Sequence, residues 1–213
     1  TAKLARTGGL AAITYGEFAS GVNPSLLQRQ RRTMAAAVSP SDGSGGQNLD
    51  YALMMADASA TGIADPAFPA HEQPIGFWAM SVWNGWLPRP DLEVIVAKAK
   101  AKLHAVSNIW RHVRGPGAAT VATCARLNWL VIDAVTIVTD AGRTLHLDLD
   151  PPAVIRKEVR AAVHRWRWRR LEHQFPQLNR RSGGTGSYSE EASGVGGEMA
   201  PIWRVLNGRA GPN

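Results

Sequence analysis

Leu92–Arg170, LEVIVAKAKAKLHAVSNIWRHVRGPGAATVATCARLNWLVIDAVTIVTDAGRTLHLDLDPPAVIRKEVRAAVHRWRWRR, is the stretch around which the chain is organised. Leu92, Val96, Ala99, Leu103, Val106, Trp110 and Val113 recur at three and four. That spacing predicts one amphipathic helix of about six turns, stopped by Gly115-Pro116. Residues 118–127, made of Ala, Val and Thr, read as a small close-packed helix that Asn128 can end. Ala134–Thr139 and Arg143–Leu149 are β-type runs joined by Asp140-Ala141-Gly142. Glycine at the positive-φ position of a three-residue connection is a hairpin signal. Leu145, Leu147 and Leu149 should then face one way, and His146, Asp148 and Asp150 the other.

Asp150-Pro151-Pro152 opens a basic helix. Ile155, Val159, Ala162, Val163 and Trp166 are its expected buried face. Arg156, Arg160 and Arg167 form an adjacent strip, flanked by Lys157 and His164, and Trp168 lies off the apolar face. Arginines one and then nearly two turns apart can meet successive phosphates, and an off-face Trp can stack on a base. A solvated helix face in an arginine-rich protein is the ordinary alternative.

Outward from that stretch the signals thin. Asn23-Pro24 places an N-cap and a first-turn proline ahead of a helix reaching about Val38. Its Leu26, Leu27, Met34 and Val38 should face inward, and Gln28, Arg29, Arg31 and Arg32 outward. Residues 2–18 suggest two short helical pieces, and residues 48–57 another. Residues 39–47 read as a loop. Residues 61–74, rich in Gly, Pro and Ala, suggest extended or irregular chain, and 75–87 a helix ended by Pro88 and Pro90. Beyond Pro176 the chain becomes Gly/Ser-rich, with Met199–Leu206 as the edge of a following element.

Composition bounds the possibilities. The 213 residues suffice for one domain, and 45% hydrophobic residues with eight Trp can build a core. A single cysteine, Cys124, excludes an intrachain disulfide and fits a reducing compartment, so an intracellular location, cytoplasmic or nuclear, is expected. Cys124 sits among small residues and reads as a small hydrophobe. The most apolar run, Trp129–Val138, is far below the ~20 residues that cross a bilayer, so no membrane association is expected. The chain starts on Thr1 rather than Met and is expected to be a piece of a longer protein.

Charge is unevenly distributed. Residues 1–32 carry +4, residues 33–88 carry five acids and no Lys or Arg, and residues 151–175 carry +5, within a net charge of +7. That asymmetry suggests a polyanion-facing surface, with RNA or DNA bound through its phosphates. Arg29, Arg31, Arg32, Arg156, Lys157, Arg160, Arg167 and Trp168 are the candidate nucleic-acid-binding residues.

Catalytic signatures are missing. The chain has no Gly-Lys pair, no GxGxxG after a strand, no HExxH, no CxxC, no GxSxG and no Asp-Asp. No catalytic residue, metal ligand or cofactor is therefore assigned. His146, Asp148 and Asp150 could share a strand face as a cation site, although the wet face of a half-exposed hairpin whose Leu residues are buried is the preferred reading. Thr139-Asp140-Ala141-Gly142 is similar to the first-strand Thr-Asp-Gly of ribonuclease-H-like enzymes, although a hairpin turn accounts for Asp140 and Gly142.

Leu10-Ala11-Ala12-Ile13-Thr14-Tyr15-Gly16, followed by a helix with Arg29, Arg31 and Arg32, resembles the junction just past the palm of LINE-type (non-LTR) reverse transcriptases. Trp110-Arg111 with Arg114-Gly115-Pro116, then Leu127-Asn128-Trp129, a hairpin turning at Gly142, and Pro151-Pro152 continue that order. Ile-Thr-Tyr-Gly departs from the family's Leu-Tyr-Gly by one residue. The resemblance implies that the palm and its catalytic aspartates precede Thr1, making the missing N-terminal polymerase region a partner. The elements read from the residues make a mainly α fold with a small β-hairpin (α+β), and the resemblance implies that it is a helical thumb- or connection-like bundle. Residues 1–38 would be a thumb-like basic segment, 39–74 an acidic, loop-rich linker, 75–175 a helical domain with the hairpin, and 176–213 a flexible linker. The expected function is non-catalytic holding of template–primer within a retroelement protein. The alternative is a helical protein-interaction module whose exposed Trp83 or Trp86 meets a partner, or a decayed fragment without activity.

Overall fold

The computed structural model describes residues 5–38, 48–59 and 63–176. It is mainly helical with a small three-stranded antiparallel sheet. The predicted linker from 176 onward and the Met199–Leu206 element lie outside the described residues, save Pro176, as does the 39–47 loop.

A wide π-turn at Ala5–Gly9 and single-turn helices Leu10–Ile13 and Glu17–Ser20 lead into α1 (Pro24–Val38). Asn23 caps it, its Oδ1 accepting from the backbone N–H of Leu26 at 2.8 Å. Helix α2 (Leu49–Ser59) is started the same way, with the Tyr51 N–H bonded to Asn48 Oδ1 at 3.1 Å.

Helix α3 (Ala67–Trp83) overturns the expectation of irregular chain over 61–74, since helix begins at Ala67. Pro69 falls within the first turn, where a missing N–H forfeits no intrahelical bond. Pro74 does forfeit one, but Ala70, His71, Ile75 and Trp78 around it are all buried, and Thr120 Oγ1 donates to the Pro74 carbonyl at 3.0 Å. Tertiary burial outweighs local propensity here. A Trp78 Nε1–H bond to the Ala134 carbonyl, 2.9 Å, ties α3 to the sheet.

The six-turn helix predicted from Leu92 is in fact two pieces. Helix α4 (Arg89–His104) stops before Ser107-Asn108, and Ile109–Arg111 forms a 3₁₀ turn. Gly115, at φ +81°, starts α5 (Gly115–Arg126) instead of ending its predecessor. The apolar recurrence survived the break because Leu103 and Val113 pack into one cluster with Ala118, Ala119 and Ala122. A Cβ on Gly117 would lie 2.5 Å from Ile95 Cγ2, so the small residues of α5 permit close helix packing, as expected. Asn128, at φ +60°, ends that helix.

Strands β1 (Leu130–Val131), β2 (Thr136–Val138) and β3 (Thr144–His146) pair in chain order. Ile137 faces Leu145 across the hairpin, and Gly142 adopts φ +79° at its turn. Strand β1 was not foreseen. The β1–β2 turn forms because Asp133 Oδ1 accepts from the N–H groups of Val135 and Thr136 at 2.9 and 2.7 Å. Alternation fails after Asp148: Leu145 and Leu147 are buried, but Leu149 is 73% exposed.

Helix α6 (Pro152–Gln174) packs along α3 and buries Ile155, Val159, Ala162, Val163 and Leu171. One core cluster draws residues from Val22 through Val163, so the acidic middle of the chain shares a core with both basic ends.

Candidate functional site

The arginine strip does not stand free. Arg160 is paired with Glu72, Arg165 and Arg169 with Asp140, and Arg170 with Asp50 at 3.5 Å. Arg167 reaches Asp57 at 2.6 Å and Asp65 at 3.2 Å. Arg31, expected on the outer face of α1, is fully buried and meets Asp65 and Asp50. Arg31 and Arg167 are therefore interior groups, and this corrects the outward placement of Arg31 and the single exposed strip of Arg156, Arg160 and Arg167.

The spacing explains the placement. Arg31 stands four residues after Leu27 and three before Met34, and Arg167 four after Val163 and four before Leu171, so both occupy buried stripes. An isolated buried charge is very costly, which makes carboxylates obligatory partners. Asp50, Asp57 and Asp65 supply them, matching Arg31, Arg167 and Arg170 in number. Burial alone would raise the Asp65 carboxyl, but Arg31 and Arg167 outweigh it and hold the group below the usual carboxylate range. Arg31 likewise stays charged against its burial because Asp65 and Asp50 face it. Trp166 lies 5.3 Å from the Arg31 guanidinium and 5.0 Å from that of Arg170, and Phe68 lies 5.3 Å from Arg167.

Four of the proposed cations remain outside this network. Among the described residues, Arg29, Arg32, Arg156 and Lys157 are exposed and carry no ion pair. Trp168 is half-buried and donates through Nε1 to Glu172 Oε1 at 2.8 Å. The weaker chemical signals prove structural. Asp150 Oδ2 accepts from the His146 N–H in a turn and Asp148 approaches Arg89 at 3.6 Å, so the three do not share a strand face. No group of three His, Cys, Asp or Glu that could hold a metal occurs among the described residues. Asp140 accepts from Trp129 Nε1 at 2.9 Å as well as from Arg165 and Arg169. Cys124 is fully buried, and that burial pushes its thiol up to about 12, so it is no nucleophile at neutral pH.

A second buried polar cluster joins α1, α5 and the Glu17 turn. Gln30 Nε2 donates to Glu17 Oε1 at 2.8 Å, while Glu17 Oε2 has no partner among the described residues. Burial raises the Glu17 carboxyl from 4.5 to about 7, against the opposing effects of the Gln30 bond and the Arg126 charge. Because the folded state holds this proton more tightly than the unfolded chain, the contribution is complete below pH 4.5 and is lost as pH rises through about 7. Its size is up to about 3 kcal/mol. His71 opposes it: burial first, then Arg126, lowers its pKa to about 3, so its contribution fades as pH falls below 6.5. Denaturant midpoints of wild type and Glu17→Gln from pH 5 to pH 8 should separate the two. The variant is expected to gain relative stability with rising pH; parallel curves would contradict the assignment.

An aromatic surface is the feature that the charge reading overlooked. The Phe18 and Phe77 rings lie 4.9 Å apart, and Phe77 meets Trp86 edge-on at 5.5 Å. Met80, Trp83, Trp86 and Leu87, at the end of α3 and just beyond it, are 38–50% exposed. Beside them lies an open groove of about 410 Å³ lined by Phe18, Pro69, Phe77 and Met80, with Glu72, Gln73 and Arg156 as its polar members. Gly76 also lines the groove, and a Cβ there would make ordinary contact with Arg156 Cγ at 3.8 Å. No helix among the described residues is long and apolar enough to cross a membrane. The chain matches no protein-family model, no curated protein and no solved structure.

Proposed function

We propose that this chain is a non-catalytic helical module that docks another protein through the surface around Phe18, Phe77, Met80, Trp83 and Trp86. The observation that carries the reading is the run of large apolar side chains left in solvent at the end of α3. Contiguous exposed aromatics of this kind mark interaction surfaces, and Trp is over-represented among the residues that dominate binding energy. Peptides selected from a displayed library on the full chain should bind at this surface. Trp86→Ala is expected to weaken them by about thirtyfold, the value of a ~2 kcal/mol anchor. Selected peptides indifferent to Trp86→Ala would contradict the reading.

A second reading retains template–primer holding within a LINE-type reverse-transcriptase-like protein. The observation in its favour is that four of the candidate cations, Arg29, Arg32, Arg156 and Lys157, are exposed and carry no ion pair among the described residues. Its footprint is smaller than the charge of α6 suggests, because the other arginines of that helix already have carboxylate partners.

A further inference from the structure

We infer that the groove beside α3 takes an apolar peptide segment of a partner protein whose carboxylate pairs with Arg156. This rests on the docking reading above and adds the chemistry of the occupant.

The argument starts from the arginines of α6. Arg160, Arg165, Arg167, Arg169 and Arg170 each have a carboxylate within the fold, and among the described residues Arg156 has none. Arg156 is also the one of the six that lines the aromatic groove. The groove's other polar groups are already engaged: Glu72 with Arg160, and Gln73 Nε2 with Thr14 Oγ1 at 3.4 Å. One uncompensated positive charge therefore stands beside apolar walls. A guanidinium offers two parallel N–H donors to a carboxylate, a match in geometry as well as charge. An occupant with apolar anchors for Phe18, Phe77 and Met80 and an acid for Arg156 complements every surface the groove presents.

A nucleic acid fits less well. Single-stranded chains need cations in a row along the backbone beside the stacking rings. Here, among the described residues, Arg156 and its neighbour Lys157 are the Arg and Lys of α6 without an ion pair, and Pro69 and Met80, which line the groove, offer neither a charge nor an aromatic ring.

The test uses fluorescein-labelled peptides of one amphipathic apolar pattern whose polar positions are all Glu, all Gln or all Lys, together with labelled oligo(dT). Anisotropy titrations are run on the full chain, on Arg156→Glu and on Trp86→Ala. The Glu peptide is expected to bind about tenfold tighter than the Gln peptide, the scale of one charge-assisted pair. Arg156→Glu should reverse the order in favour of the Lys peptide, and Trp86→Ala should weaken all three. Should Arg156→Glu fail to fold, Arg156→Gln should equalise the Glu and Gln peptides. Binding that needs Trp86 but ignores peptide charge would overturn the carboxylate inference and leave the docking reading standing. No peptide binding, with oligo(dT) bound through Arg156, would overturn both. Self-association lost on Trp86→Ala, without peptide binding, would assign the groove to a second copy and overturn the inference.

Discussion

Arg31→Met is expected to destabilise the fold by about 3–5 kcal/mol, because it strands buried carboxylates without their cation. Asp65 would keep Arg167 at 3.2 Å, but Asp50 would be left with Arg170 at 3.5 Å. Both aspartates are essentially inaccessible to water, so no solvent replaces the lost donors. For a chain of this size the melting temperature should fall by about 6–20 °C. The loss should shrink when Asp50→Asn is added, since the second change removes the charge the first one orphaned. Urea denaturation of both variants checks this. A loss below about 1 kcal/mol for Arg31→Met would mean that the pair is solvated and contributes little, as exposed ion pairs do.

The second large effect is expected at Trp78. Trp78→Ala should cost about 3–5 kcal/mol, the range for emptying a buried aromatic site. Trp78 is 4% exposed, its ring would lie 3.4 Å from a Cβ on Gly117, and its N–H supplies the Ala134 carbonyl in the β1–β2 turn. Its removal therefore opens a cavity between α3 and α5 and leaves a buried acceptor unpaired. Phenylalanine should recover most of the volume but not the hydrogen bond, giving a smaller loss. Hydrogen exchange should locate the damage: sheet amides should lose more protection than those of α1 in the Ala variant. Equal loss everywhere would mean that Trp78 has no special tie to the sheet.

Much of the fold was legible because its signals are local. Asn23 caps α1, Asn128 ends α5 and Gly142 turns the hairpin through the residue types those positions demand. The misreadings arose where a longer-range force decided. Leu92 to Val113 keep one apolar rhythm across a helix break because both pieces face the same core. Prolines 69 and 74 suggested irregular chain, yet Pro69 falls in the first turn and burial against α5 and α6 holds Pro74 in the helix. Strand β1 is two residues long, and only pairing with β2 defines it.

The site was harder to read for a related reason. Arg31 and Arg167 sit at the three- and four-residue spacing of their apolar neighbours, a signal of burial present in the chain from the start. Their charge drew attention instead, and the partner carboxylates lie as many as 110 positions away, where periodicity has no reach. Four of the five acids of residues 33–88 likewise answer the basic ends of the same chain: Asp50, Asp57, Asp65 and Glu72 all take arginines. Uneven charge along a chain can thus be internal complementarity rather than a surface held out to a polyanion. Trp83 and Trp86 belong to the helix expected over 75–87, but α3 ends at Trp83, which leaves both about half in solvent.

The most direct measurement is the affinity of an RNA–DNA hybrid, across a salt series, for wild type and for Arg160→Gln/Arg165→Gln/Arg169→Gln. If these guanidinium groups belong to Glu72 and Asp140, the two proteins should bind equally and with the same salt slope. A slope that drops by about 0.7–0.9 for each arginine removed, the signature of lost phosphate contacts, would contradict the account.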